Sequence, residues 1–309
     1  MKPDRDLAGM RVVAHPLHNR LYRLDSSNAI HLFPLCGIKG SWLINDYLDG
    51  QHACYIALAP ASATSGYLYL VDDPGDGRYA SPTPMFLPSS GTLQNSQCSI
   101  SGAGSSVSAF DHTLTLILAI TFRSAFVGNK IFYTAARSNT QNSGWQALGT
   151  WNVPGTSTIG PAVTGMSPAR SVTNGGIYTF TFSDTNGYAD LSVLDILTNT
   201  FLDGIRACYV AYVPSTATDG YLYLVDDSGD GGYVSGSPLL LSSGGTLQNT
   251  QCTIYASGST ASASGNTLTL NLGMAFNAGF AGNQVFYVAA RNNSTGNSGW
   301  QAVGSVTVP

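Results

Sequence analysis

The chain has 309 residues, 43% of them hydrophobic and only 10% charged, and its formal net charge is −4. That balance excludes the basic footprint of a nucleic-acid binder, and no run of about 18 apolar residues free of charges and turn signals is present to span a membrane. All 17 acidic residues are aspartates; Asp serves turns and caps where Glu serves helices, so the composition points to an all-β chain with many turns.

Residues 1–42 hold six of the 13 Lys and Arg residues and three of the five histidines. Met1-Lys2-Pro3-Asp4 does not open a signal peptide, because no apolar core segment follows it. Three readings of this segment stand side by side. It is an artefact of the gene model; or residues 11–24 and 29–38 supply substitute strands; or a sandwich short of its first strands leaves an open edge that another chain's strand satisfies.

From Leu43 the chain begins to repeat itself. Residues 43–154 and 197–309 align at an offset of 154 positions, with roughly 60 of about 112 positions identical. ACYIALAP from Ala53 returns as ACYVAYVP from Ala207, VDDPGDG from Val71 as VDDSGDG from Val225, and NSGWQALG as NSGWQAVG. A period this long is a domain and not a solenoid turn. The expected organisation is an atypical segment (1–42), a truncated first domain (43–154), a Gly/Pro/Ser/Thr-rich linker with the start of the next domain (155–167) and a complete second domain (168–309).

In the complete copy the strands follow in order. Residues 178–184 alternate, with Phe180 and Phe182 on one face and Thr179 and Thr181 on the other. Residues 191–197 come next, then a hairpin of 207–213 and 221–226, and a short strand at 253–256. Residues 267–272 alternate strictly, the mark of a half-buried strand. A closing hairpin joins 284–291 to 300–308. Eight or nine short strands with no helical stripe predict an antiparallel β-sandwich. Cys54 and Cys98 recur as Cys208 and Cys252 at the same spacing. They are either one disulfide per domain, which implies an oxidising compartment, or small buried thiols. Cys36 has no counterpart.

FTFSDTNGYADLSVLDILTN (residues 180–199), the ACYVAYVP and GYLYLVDD strands and the closing FYVAARNNSTGNSGWQAVGSVTVP together resemble an Ig-like β-sandwich module. Such modules occur in tandem in large secreted or surface proteins of environmental bacteria, notably Acidobacteria. The closing hairpin is also similar to the end of a fibronectin type III domain. The resemblance implies an extracellular repeat without assigned activity, and it brings no catalytic residues. The first copy departs from it by lacking the Ser-Asp-Thr-Asn-Gly-Tyr segment.

Candidate chemistry concentrates in loops. Asp72, Asp73 and Asp76, and in the second copy Asp226, Asp227 and Asp230, offer three carboxylates within five residues, the hard oxygen ligands Ca²⁺ prefers; a turn rich in Asp and Gly needs no metal. Asp184, Asn186 and Asp190 form a second such group. No cofactor is required, and Ca²⁺ is the one these residues suggest. Tyr67, Tyr69, Tyr221 and Tyr223 are a candidate glycan platform or ordinary strand aromatics. Trp145 and Trp300 are expected in the core or covering the sandwich end, and Arg137 and Arg291 in a cation–π contact, paired with a loop aspartate, or simply solvated at a strand end. Catalysis finds no support: His52 aligns with Arg206 and His112 with Asn266, there is no Glu, and no hydrolase or phosphate-binding motif is present. Asn292 and Asn293 stand in glycosylation sequons. The expected role is a non-enzymatic extracellular spacer, adhesion or scaffold module, whose partners are domains of the same or neighbouring surface proteins, or glycans. The alternative is a Ca²⁺-assisted carbohydrate-binding module appended to a secreted hydrolase.

Overall fold

The computed structural model describes residues 10–13, 30–32, 39–110, 113–138, 140–155 and 159–309. Cys36 and His112 lie outside the described residues, as do most of the substitute strands expected over 11–24 and 29–38. The chain divides into two compact units, Met1–Leu148 with Asn152–Gly155, and Gly149–Trp151 with Thr156–Pro309. Among the described residues regular structure is all strand, apart from four single-turn 3₁₀ segments, and no helix is long and apolar enough to cross a membrane.

The strands of the first unit are β1 (Met10–Val13), β2 (Ile30–Leu32), β3 (Lys39–Asn45), β4 (Cys54–Ser62), β5 (Ser65–Leu70), β6 (Met85–Leu87), β7 (Thr92–Gln94), β8 (Cys98–Phe110), β9 (Thr113–Phe122), β10 (Gly128–Arg137) and β11 (Gln146–Val153). One sheet runs β1-β9-β8-β7, with β2 also on β9, and the other runs β11-β10-β3-β4-β5-β6. The second unit has β12 (Pro161–Ser167), β13 (Arg170–Val172), β14 (Gly175–Asp184), β15 (Leu191–Asn199), β16 (Cys208–Pro214), β17 (Gly220–Leu224), β18 (Leu239–Leu240), β19 (Thr246–Gln248), β20 (Cys252–Ser264), β21 (Thr267–Phe276), β22 (Gly282–Asn292) and β23 (Gln301–Val308). Its sheets run β12-β14-β21-β20-β19 and β13-β23-β22-β15-β16-β17-β18. Pairing is antiparallel except where β13 lies parallel to β23.

Period-two alternation builds the core. Along β14, Tyr178, Phe180 and Phe182 turn inward while Thr179 and Thr181 turn outward, and along β21 Leu268, Leu270 and Leu272 turn inward. They meet Leu194, Ile196, Val210, Leu222 and Phe286 of the facing sheet in one buried cluster. Tyr178 and Phe286 lie 4.8 Å apart between ring centres. Each fully buried side chain of this size contributes on the order of 1.5–3 kcal/mol.

The sheets are also joined covalently. Cys54 bonds to Cys98 and Cys208 to Cys252, so the paired-cysteine reading holds in both units and the buried-thiol alternative does not. Beside each bond sits an asparagine. Asn249 Nδ2 donates to the carbonyls of Ala207 (2.8 Å) and Val225 (3.1 Å), and its Oδ1 accepts from the backbone N–H of Gln251 and Cys252, each at 3.0 Å. Asn95 repeats all four contacts with Ala53, Val71, Gln97 and Cys98.

Three elements differ from expectation. Within residues 155–167 a strand not read from the sequence, Pro161–Ser167, pairs with β14. An edge strand tolerates Pro at its first position and Gly at a bulge, and here Pro161 opens β12 while the register shifts between Val163 and Gly165. The strand expected at 253–256 runs on to Ser264. A register shift between Tyr255 and Thr260 interrupts its pairing, and the Ser259 hydroxyl bridges the gap, donating to Tyr255 O at 2.6 Å and accepting from Gly273 N at 2.9 Å. Finally, β3 starts four residues before the repeat resumes in sequence. Gly40 and Trp42 are buried and Lys39 is exposed, so a Gly–Trp pair fills the inward positions that Leu194 and Ile196 take in β15. Among the described residues, the ten-residue β14 has only the short β1 and β2 as counterparts on β9.

Tyr212 is wholly buried and its hydroxyl has no hydrogen-bond partner among the described residues. The first unit has Leu58 there. Tyr212→Phe should therefore raise stability by about 1 kcal/mol, read as a higher unfolding midpoint of the full chain in urea. Asn249→Ala strips partners from four backbone groups and should cost about 3 kcal/mol in the same titration.

Candidate functional site

A concavity lies on the outer face of the second unit's seven-stranded sheet. The registers set Tyr223, Ala211, Asp195 and Ala289 side by side across β17, β16, β15 and β22. The carboxylate of Asp195 lies between two alanines, of which Ala289 lines the depression. Tyr209 stands two residues before Ala211 on the same face, and Arg291 faces Val193 in the adjoining row. Trp300, just ahead of β23, meets Tyr209 edge-on with ring centres 5.7 Å apart. The result is a hollow of about 240 Å³, open to solvent and lined by Asp195, Tyr209, Ala289, Arg291, Asn297 and Trp300.

Its electrostatics turn on Asp195, whose side chain is 5% exposed against 49% for Arg291. Arg291 Nη2 donates to Asp195 Oδ2 at 2.9 Å, and the Tyr209 hydroxyl donates to Oδ1 at 3.2 Å. Burial first, and then the neighbouring carboxylate, push the Tyr209 phenol well above the ordinary tyrosine range, so it stays protonated as a donor. A buried carboxylate is tolerable only when paired and hydrogen-bonded, and both conditions hold.

The first unit repeats the frame without the carboxylate. Tyr69, Ala57, Ser41 and Ala135 occupy the same row, and Trp145 meets Tyr55 edge-on at 5.7 Å. Ser41 stands where Asp195 does, and Lys39 lies directly opposite Arg137. Among the described residues Arg137 has no carboxylate partner. Arg291 takes its aspartate from the neighbouring strand and not from a loop, which corrects that expectation. Neither tryptophan enters the core; each is half-buried on the outer face. The sequence reading missed Asp195 and Tyr209. The available signal was a charged residue in the middle of an apolar strand, at the outward-facing parity.

The acidic loops are built as turns. Asp226 Oδ1 accepts from Ser228 N at 3.0 Å and from the Ser228 hydroxyl, and that hydroxyl also reaches Asp230 Oδ1 at 2.8 Å. The Ser228 hydroxyl and then the Gly232 N–H hold the Asp230 carboxyl below its usual range. Asp227 accepts from Thr250 N and Asp73 from Ser96 N, tying each loop to the segment ahead of the second cysteine. Asp76 accepts from Arg78 N. Pro74 replaces Ser228 and removes both donors, which leaves Asp72 Oδ1 without a partner among the described residues. Gly229 (φ +68°) and Gly75 (φ +69°) lie so close to Gly204 and Gly50 that a Cβ would come within 2.4 Å of backbone.

Asp184, Asn186 and Asp190 do come together. Asp184, 1% exposed, accepts from Asn186 N and from Asn292 Nδ2, each at 2.8 Å, and Asn186 Nδ2 donates to Asp190 at 3.0 Å. The group latches the end of β14 to the end of β22. Asn292 is thereby buried and engaged on both sides of its amide, whereas Asn293 of the overlapping sequon is exposed. Among the described residues no three His, Cys, Asp or Glu side chains gather as a metal-holding group. Of the candidate tyrosines, Tyr67 and Tyr221 are exposed and outward-facing, Tyr67 packs on Phe86, and Tyr69 and Tyr223 pack on Tyr79 and Tyr233.

No family model and no curated protein matches the chain. Among solved structures, the fibronectin(III)-like modules of Clostridium thermocellum CbhA align over 90% of this chain and 94% of theirs, at 11% identity and a TM-score of 0.19. Two marsupial T cell receptor structures align over 86% and 84% of this chain and 72% and 69% of theirs, at 11% and 12% identity and TM-scores of 0.24 and 0.22.

The pair at the hollow gives a directional test. Arg291→Gln leaves a buried carboxylate without its cation and should cost about 2 kcal/mol. Asp195→Ser installs the residue the first unit carries at the same register and should cost less than half as much. Urea titrations of the two full-length variants check the order.

Proposed function

We propose that the chain is a non-enzymatic module of a secreted or surface protein, two disulfide-tied sandwiches in tandem that act as a spacer and offer their outer sheet faces for adhesion. The observation that carries this reading is the covalent tie between sheets, Cys54–Cys98 and Cys208–Cys252. Such bonds persist in oxidising compartments. Each separates its cysteines by 44 residues, and closing a loop of that size contributes on the order of 4 kcal/mol in the chain-entropy model. The tie also keeps the enclosed residues from paying out when the ends are pulled, which is what a load-bearing spacer needs. The loop carboxylates support the non-enzymatic part, since they hold turns together and do not converge on a cleft.

Pulling the full chain from its ends should give two separate unfolding steps. Reductant should lengthen each step by about 150 Å, the extended reach of 44 residues at roughly 3.4 Å each. A single step, or steps insensitive to reductant, contradicts the spacer reading. Turnover of any substrate in a panel of chromogenic esters, peptides and glycosides contradicts the non-enzymatic one.

A further inference from the structure

We propose that the hollow ringed by Trp300, Tyr209, Arg291 and Asp195 is a saccharide site that takes one ring of a neutral oligosaccharide without a metal ion. The proposal rests on the reading of the chain as an adhesive module and names what the second unit adheres to.

Four observations converge on this ligand class. The first is that the fold does not need the charge pair. The first unit keeps the same row, the same aromatic pair and the same arginine position, with Ser41 in place of Asp195. Burying a carboxylate carries a desolvation cost that a serine avoids, so Asp195 has a role beyond stability.

Charge balance is the second. Arg291 and Asp195 face the same hollow 2.9 Å apart. A cationic ligand meets the guanidinium and an anionic one meets the carboxylate, so a net charge of either sign is disfavoured. What remains after the pair forms is directional. The guanidinium carries five N–H donors and each carboxylate oxygen two lone pairs, more than their mutual contact and the Tyr209 hydroxyl use. Adjacent donors and acceptors of this kind match the vicinal hydroxyls of a sugar.

The third is the wall. Trp300 and Tyr209 stand at 72° to one another, and rigid aromatic faces supply large contact area at low entropic cost to the C–H face of a ring. Scale is the fourth. At about 240 Å³ the hollow falls below the roughly 300–1,000 Å³ of pockets that enclose drug-sized ligands. It accommodates one ring and, being open, lets a chain continue across the sheet toward Tyr223 and Tyr221.

The test uses the full chain and unbranched β-1,4-linked hexasaccharides of glucose, xylose and mannose, with a hexauronate as the anionic comparator, by titration calorimetry with and without chelator. At least one neutral hexasaccharide should bind, unaffected by chelator. Asp195→Ser and Trp300→Ala should each weaken it at least about tenfold, while Trp300→Phe, which keeps an aromatic wall, should lose markedly less. No neutral binding at millimolar concentration, binding of the hexauronate alone, loss with chelator, or full affinity in Trp300→Ala overturns the proposal. The two force-unfolding steps are measured on the same preparation. Their persistence without sugar binding overturns the site alone and leaves the module reading standing.

Discussion

Each unit depends on one constraint, the junction where two sheets are held at a fixed separation and register. The disulfide sets the separation, since Cys208 lies in the seven-stranded sheet and Cys252 in the five-stranded one. The adjacent asparagine sets the register. Asn249 reads the carbonyl just before Cys208, a carbonyl at the end of β17 and the two N–H groups that lead into Cys252. A side chain with two donors and an acceptor at right angles to the strands can satisfy four backbone groups only if all three segments are in place. Everything distal follows from that alignment: the cores on the inward parity, the rows of the outer face on the other. Buried polar groups in such a network are costly when partly satisfied, which is why the asparagine and the bond belong to one device.

The duplication separates what the scaffold requires from what a face adds. The cysteines, the asparagine, the serine that bridges the long-strand bulge and the glycine at the loop tip act alike in both units. The outer row does not. Replacing Val193 and Asp195 by Lys39 and Ser41 turns a charge-balanced face into one with two cations on opposite strands, and like charges directly opposite are unfavourable. Because strand side chains alternate, these changes leave the inward set untouched. The inward positions of the same strand vary too, but in a compensated way, with a glycine and a tryptophan where the other unit has leucine and isoleucine.

Much of the architecture was readable in the residues themselves. Tyr178 to Phe182 and Leu268 to Leu272 announce their faces by strict alternation, and the matched cysteine spacing offered the disulfide as one of two readings, which the bonds Cys54–Cys98 and Cys208–Cys252 decide. What escaped reading lacked a local signal. β12 is interrupted by Gly165 and opened by Pro161, and only the neighbouring β14 makes it a strand. β20 passes through Ser257-Gly258-Ser259-Thr260, a stretch with turn composition whose hydroxyl completes the ladder through space. The hollow is non-local as well. Asp195, Tyr209, Arg291 and Trp300 span more than a hundred positions, and only the registers of four strands bring them together. The acidic loops show the converse: they are conspicuous in sequence, and Asp76, Asp226 and Asp230 are engaged by their own turns while Asp73 and Asp227 accept from the segment ahead of the second cysteine.

The position of the hollow follows from sheet geometry. A flat sheet face offers no concavity unless small residues sit beside large ones, and here Ala211 and Ala289 flank Asp195 on both neighbouring strands. With larger side chains at those positions the carboxylate would be sealed from solvent and could serve only Arg291 and Tyr209. With alanines it remains reachable from one side while the aromatic pair shields the other. Ala289, two residues before Arg291 on β22, lets the guanidinium reach diagonally to Asp195, and that contact holds it in place before any ligand arrives. Preorganisation of this kind removes part of the ordering cost of binding, so even a shallow site on a rigid face can select its ligand by the direction of its hydrogen bonds.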